Sequence, residues 1–234
     1  MSKYNLEHHK VIESALKHFN ADFFCENNII FGGGTRIALE LDEYRESIDI
    51  DFLCPNRLSY RAIRTQVTNK TLGLAVHEDF QYTREIRADR DGIRTVVHVE
   101  DSDIKLEFIS FDQYDLELEV NKDLFPIPFL SRNSCFYTKL LANADRALSP
   151  PHKDIFDILA MYKAWGSIPE SAMYSAENHY GDDIKNKLIA ALEDMINHPK
   201  KYEIHAKSIK MKANWMNDII YTQADKLLAE LTKS

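Results

Sequence analysis

Cysteine is nearly absent from this 234-residue chain: Cys25, Cys54 and Cys135 are odd in number, widely spaced and without a CxxC pair. Neither a disulfide framework nor a zinc site follows from such an arrangement, and a reducing compartment is expected. Glycine and proline, seven each, are too few for a linker-rich or low-complexity protein. No apolar run approaches the roughly 18 residues that a membrane helix needs, and the polar beginning MSKYNLEHHK lacks the apolar stretch of a signal peptide. These absences predict a cytoplasmic protein with no membrane partner. Positive charge is also short, with 29 Lys and Arg against 37 Asp and Glu, a formal net charge of −8. That excludes a protein that coats nucleic acid through bulk charge, but not an enzyme with a local basic patch. Apolar residues, at 44%, suffice for a proper core, and the length suits one large domain or two small ones.

The first half reads as mixed helix and strand. Val11, Ile12, Ala15, Leu16 and Phe19 recur at helical spacing and predict a helix over about residues 6–20, with Glu7, His8 and His9 on its polar side. The short apolar run Ile29-Ile30-Phe31 stops at three glycines, as a buried strand would. Thr35 is placed to cap a helix through Leu41. Residues 48–53 alternate as a strand, and a helix is expected over about 58–69. Residues 84–90 and 93–99 flank Asp91-Gly92, a hairpin-turn signal, and residues 104–110 alternate again. After Pro126 and Pro128 the texture changes to helical spacing over residues 136–148, 153–165, 170–180, 183–197 and 215–231. The expected class is α+β, with an N-terminal domain over residues 1–130 and an all-helical domain over 131–234.

The chemistry concentrates between Phe31 and Phe52. Asp49 and Asp51 lie two apart in a strand, so both carboxylates share one face, while Ile48, Ile50 and Phe52 are expected to anchor the other. Two like charges this close repel unless a cation neutralises them, and magnesium takes one or two carboxylates together with substrate phosphate oxygens. Gly32-Gly33-Gly34 ends a strand and opens a helix, where free backbone N–H groups suit a phosphate. The segment lacks the GK[ST] ending of a P-loop. Ile37 also stands where a dinucleotide fingerprint needs its third glycine.

A strand, a glycine loop, a helix and then a D-x-D strand resembles the DNA polymerase β nucleotidyltransferase superfamily. More closely, GGGTRIALEL followed by YRESIDIDF resembles the AbiEii/AbiGii-type nucleotidyltransferase toxin family. A second block, KLLANADRALSPPHKDIFDIL, is similar to the segment that follows the nucleotidyltransferase core in the same family. The resemblance implies a polymerase β-like domain with a mixed or antiparallel sheet, and a toxin that transfers a nucleoside monophosphate from an NTP to a tRNA or other RNA end, paired with a cognate antitoxin. It also implies a third acid within the run Ile104–Phe108. Glu107 is the choice and Asp103, in a turn, the runner-up.

On this reading Asp49, Asp51 and Glu107 are catalytic and hold a two-metal magnesium site. Lys139, Asp154 and Asp157 inherit catalytic roles from the second block. Gly33, Gly34, Thr35, Arg36, Ser47, Lys139, Asn143 and Arg146 are the nucleotide-binding set, the last-named three also sharing one helix face at i, i+4, i+7 spacing. Two alternatives stand beside it: an antibiotic-type nucleotidyltransferase with a small-molecule acceptor, and a non-catalytic nucleotide-binding protein of the same fold. Basic stretches at Arg57, Arg61 and Arg64, at Arg84, Arg87, Arg90 and Arg94, and at Lys200, Lys201, Lys207, Lys210 and Lys212 read first as solvated faces, with RNA contact as the functional option.

Overall fold

The computed structural model describes residues 2–233. The chain divides into two compact units, residues 1–39 with 47–131 and residues 40–46 with 132–234. The segment 40–46, read from the sequence with the first half, packs with the second unit. Its Tyr44 and Arg45 are buried there, bonded to Asp157.

Among the described residues the first unit is built on seven strands: β1 (Ile30–Gly32), β2 (Asp49–Cys54), β3 (Gln81–Ala88), β4 (Gly92–Val99), β5 (Ser102–Ser110), β6 (Leu118–Glu119) and β7 (Phe129–Leu130). They form one mixed sheet in the order β3-β4-β5-β2-β1-β7-β6, with β2 parallel to β5 and β1 parallel to β7. Alternation decides its two faces. Ile50 and Phe52 of β2 and Ile104, Leu106 and Phe108 of β5 are fully buried on one face, where Phe52 stacks on Phe108 at 4.9 Å. That face joins the apolar sides of α1 (Glu7–Leu16), α2 (Ala21–Glu26) and, beyond α3 (Gly33–Glu40), α4 (Arg57–Arg64) in a single core. Asn20 and Asn56 start α2 and α4 by accepting backbone N–H groups, a capping role suited to their side-chain oxygens.

Three local expectations change. Ile48 is 48% exposed, because β2 begins only at Asp49. Thr35 is not a cap: α3 opens two residues earlier, at Gly33. His9 is fully buried rather than solvated. It stands three and seven residues before Ile12 and Leu16, which puts it on the apolar stripe of α1.

The second unit is helical: α5 (Arg132–Arg146), α6 (Lys153–Trp165), α7 (Glu170–Tyr180), α8 (Asp183–Asn197), α9 (Pro199–Ser208), α10 (Ala213–Asp218) and α11 (Ala224–Lys233). Helix α9 has no counterpart in the sequence reading; it opens on a proline at its first turn, a position that needs no N–H. The stretch read as one helix over 215–231 is α10 and α11 joined by a π turn at Ile219–Gln223. The C-terminal lysines are largely matched by acids: Lys200 to Glu203, Lys201 to Asp194, Lys210 to Glu46 and Lys212 to Asp42. No helix among the described residues is long and apolar enough to cross a membrane.

Candidate active site

The polar face of β2 and β5 gathers the acids. Ladder register sets Asp51 opposite Glu107 and Asp49 opposite Lys105, so the three carboxylates and one ammonium occupy neighbouring positions. Asp103 lies four residues earlier on β5, bonded to His98 at 2.8 Å, and pairs with no residue of β2. It is a strand residue, not a turn residue. Glu107 is therefore the acid beside Asp51.

Glu107 is not idle. Arg94 Nε donates to its Oε1 at 2.6 Å and Lys105 Nζ to its Oε2 at 2.9 Å. Burial would raise the Glu107 pKa, but the hydrogen bonds from Lys105 and Arg94 outweigh it and hold the carboxyl below its usual range. Lys105 is pushed the other way, mainly by its hydrogen bond to Glu107, with Asp49 and Asp51 adding to the attraction. Lys105, two residues before Glu107 and so on the same face, is the internal counter-ion of the cluster, a role that the sequence did not reveal.

The glycine loop closes on the same acids. Gly33 opens α3 at φ +67°, a conformation that side chains resist. A Cβ there would lie 3.0 Å from Cβ and Cγ of Asp51 and would overlap its Oδ2. Gly33→Ala is expected to lower turnover on the order of a hundredfold by displacing Asp51, in line with the cost of an ångström-scale misplacement. Its melting temperature should also fall; single-turnover assays beside thermal unfolding check both.

Behind the loop a chain of hydrogen bonds fixes the approach to β2. The Thr35 hydroxyl donates to the Asp49 carbonyl and shares a 2.8 Å hydrogen bond with Ser47 Oγ. Ser47 N–H in turn donates to His9 Nε2 at 3.0 Å, so that nitrogen carries no proton. His8 Nε2 lies 2.9 Å from the Ile48 carbonyl. Thr35 is 1% exposed, so its hydroxyl serves the strand. Arg36 is also buried: its Nε donates to the Leu130 carbonyl and its guanidinium lies 5.3 Å from the centre of the Phe129 ring. Gly33, Gly34 and Ser47 remain partly open.

The second block forms an ionic core inside the helical unit. Asp157 is fully buried and accepts from Arg45 Nε at 2.8 Å, Arg45 Nη2 at 3.0 Å and the Tyr44 hydroxyl. Lys139 Nζ lies 2.6 Å from Asp157 Oδ2 and 3.1 Å from Asp154 Oδ1. Burial would lower the Lys139 pKa, yet Asp157 and Asp154 raise it above the usual value. Arg146 grips Asp154 with two hydrogen bonds of 2.9 Å while keeping most of its side chain exposed. Asn143 is buried on the same helix, and its Nδ2 finds no hydrogen-bond partner among the described residues. The expected stripe of Lys139, Asn143 and Arg146 is thus largely turned inward, with Arg146 its exposed end. Tyr44 and Arg45 were missed because their partner lies more than a hundred residues away.

Among the described residues no three His, Cys, Asp or Glu side chains converge closely enough to enclose a metal ion. Asp49 and Asp51 nonetheless suit magnesium: hard oxygen donors on one face, beside a glycine loop where any side chain would intrude on Asp51. Glu107 would join them only by exchanging its bonds to Lys105 or Arg94.

A seven-stranded mixed sheet with a glycine-opened helix and a D-x-D strand on its open face has the build of a nucleotidyltransferase. The family model described as "Nucleotidyl transferase AbiEii toxin, Type IV TA system" matches residues 14–218. The chain belongs to that family and is a nucleotidyltransferase. Among solved structures it is similar in fold to a candidate nucleotidyltransferase from H. pylori, with TM-score 0.56 and 18% identity over 100% of this chain and 98% of that one. JHP933 from Helicobacter pylori gives TM-score 0.54 and 18% identity over 100% and 95%. No curated protein sequence matches the chain.

Proposed function

We propose that the chain transfers a nucleoside monophosphate from an NTP to the terminal hydroxyl of an RNA, with tRNA as the acceptor class, acting as the toxin of a toxin–antitoxin pair. The observation that carries this reading is the Asp49–Asp51 pair set against the Gly33 turn, with Glu107 beside Asp51. In the transfer the acceptor oxygen forms a bond to the α-phosphorus, the α–β phosphoanhydride bond breaks, and pyrophosphate leaves with the electron pair. Magnesium held by Asp49 and Asp51, with a second ion reaching Glu107, would lower the pKa of the acceptor hydroxyl and offset charge on the phosphates. Backbone N–H groups at Gly33 and Gly34 face the triphosphate, and the nucleotide-binding roles of Lys139 and Arg146 rest on the likeness of the second block to the family. Glu107 takes the acceptor's proton once its hold on Lys105 loosens, since a carboxylate shared by two cations is a weak base.

The test is incubation with each labelled NTP, magnesium and total RNA, followed by gel separation. Label should enter a tRNA-sized band and be absent with Asp49→Asn. Label on an aminoglycoside or lincosamide instead would keep the transferase and discard the RNA acceptor. NTP binding with no pyrophosphate release on any acceptor pool would discard the transfer. Co-purification of a second protein that silences the labelling would identify the antitoxin.

A further inference from the structure

The polar face of the sheet does not end at Glu107. Register carries one row straight across four adjacent strands: Asp51 on β2, Glu107 on β5, Arg94 on β4 and Arg87 on β3. The neighbouring row runs from Asp49 through Lys105 and Val96 to Arg84. Arg84 and Arg87 thus face the same way as the acids, two strands beyond Glu107 on the sheet edge. Both are exposed, and among the described residues neither makes an ion pair, in contrast to Arg57, Arg90 and Arg94. A register shift in β3 between Arg84 and Arg87 is what lets residues three apart share one face.

We propose that this face is the track for the phosphate backbone of the acceptor RNA, with Arg84 and Arg87 gripping phosphates behind the end that reaches Asp49 and Asp51. The inference rests on the RNA acceptor proposed above and assigns its docking surface. Charge complementarity favours that occupant. Guanidinium forks match phosphate oxygens bidentately, and on a chain of net charge −8 two unneutralised forks beside a carboxylate cluster are a local feature. Strands stand about 4.8 Å apart, so Arg87 lies roughly 14 Å along the sheet from Asp51, a few nucleotides back from a bound end. Arg94, between Asp89 and Glu107, continues the positive row up to the acids. Of the acids nearby, Asp103 is bonded to His98 and Asp89 to Arg94, while Glu85 sits in the irregular stretch between the two arginines. The competing role is edge protection, since charged side chains on an edge strand also block aggregation.

Fluorescence anisotropy with a labelled hairpin RNA bearing a single-stranded 3′ tail, over about 50–200 mM salt, separates these roles. Arg84→Ala/Arg87→Ala should bind at least tenfold more weakly, with the salt slope of log Kd reduced by about 1–2, the amount expected for one or two lost phosphate contacts. Arg84→Lys/Arg87→Lys should retain part of the affinity, and magnesium–NTP binding by calorimetry should be unchanged. The matched control is Arg61→Ala/Arg64→Ala on α4, whose Tyr60 and Ile63 pack into the core behind the sheet; it should stay within twofold of wild type. The track is overturned if the β3 double variant keeps wild-type affinity and slope, if it merely aggregates while its soluble monomer binds normally, or if the α4 variant loses as much. Wild type that binds no RNA would instead sink the RNA-acceptor reading and the track with it.

Discussion

Asp51→Asn is expected to lower kcat by about a thousandfold, some 4 kcal/mol of transition-state stabilisation, with the fold intact. The exchange preserves shape and keeps an oxygen that can accept a hydrogen bond, but it removes the charge that a divalent cation requires. The surrounding charges argue that stability will not suffer. Asp49, Asp51 and Glu107 occupy neighbouring positions on one face, with Lys105 and Arg94 bonded to Glu107, so neutralising one of the three carboxylates eases their mutual repulsion. The variant without metal should therefore melt no lower than wild type, the pattern of a site that gives up stability for function. Thermal unfolding and single-turnover transfer, measured on the same preparation, separate the two effects. A variant that loses activity only in proportion to lost folded protein would show Asp51 to be a structural residue. Full activity at saturating magnesium would remove it from the metal site.

The parts of this site that could be read from the sequence are those set by local periodicity. Ile50 and Phe52 go inward because they alternate with Asp49 and Asp51, and Glu107 shares its face with Lys105 for the same reason. The glycine cluster marked the turn at Gly33, where only the close approach of Asp51 reveals why a side chain is excluded. What stayed hidden depends on register or on distance along the chain. Arg94 meets Glu107 only because β4 and β5 pair in one particular alignment, and nothing in the residues 84–99 fixes that alignment by itself. His9 carried a readable signal, its spacing to Ile12 and Leu16, but the adjoining Glu7 and His8 disguised it as part of a polar run. Arg45 stands in the run that leads into the D-x-D strand and reads as part of it. The carboxylate that satisfies it belongs to α6, 112 residues further along the chain, so its buried charge could not be foreseen from its neighbours.

Asp157→Ala should be the most destabilising of the site substitutions, by about 3–5 kcal/mol, because it leaves buried cations without their partner. In the native protein the Asp157 carboxylate accepts from Arg45, Lys139 and Tyr44 with no exposed surface of its own. After its removal Arg45 keeps a bond to the Glu46 carbonyl and Lys139 keeps Asp154, neither of which restores the lost charge balance. Urea unfolding reads the effect directly. Its pH dependence supplies a second check. Burial would raise the Asp157 pKa, but Arg45 and Lys139 overcome it and hold the carboxyl well below the usual range. Its stabilisation is then complete above the unfolded value of about 4 and is lost only as pH falls through the lower native value. The gap between wild type and variant should accordingly be widest near neutrality and close only in strong acid. A paired exchange, Lys139→Met with Asp157→Leu, removes one of the two stranded cations and should recover only a part of the loss, because Arg45 stays buried without its carboxylate. Recovered stability accompanied by recovered transfer would make Asp157 a positioning residue that holds Tyr44 and Arg45 in the helical unit. If stability returned and transfer stayed absent, Lys139 or Asp157 would have to touch the nucleotide itself.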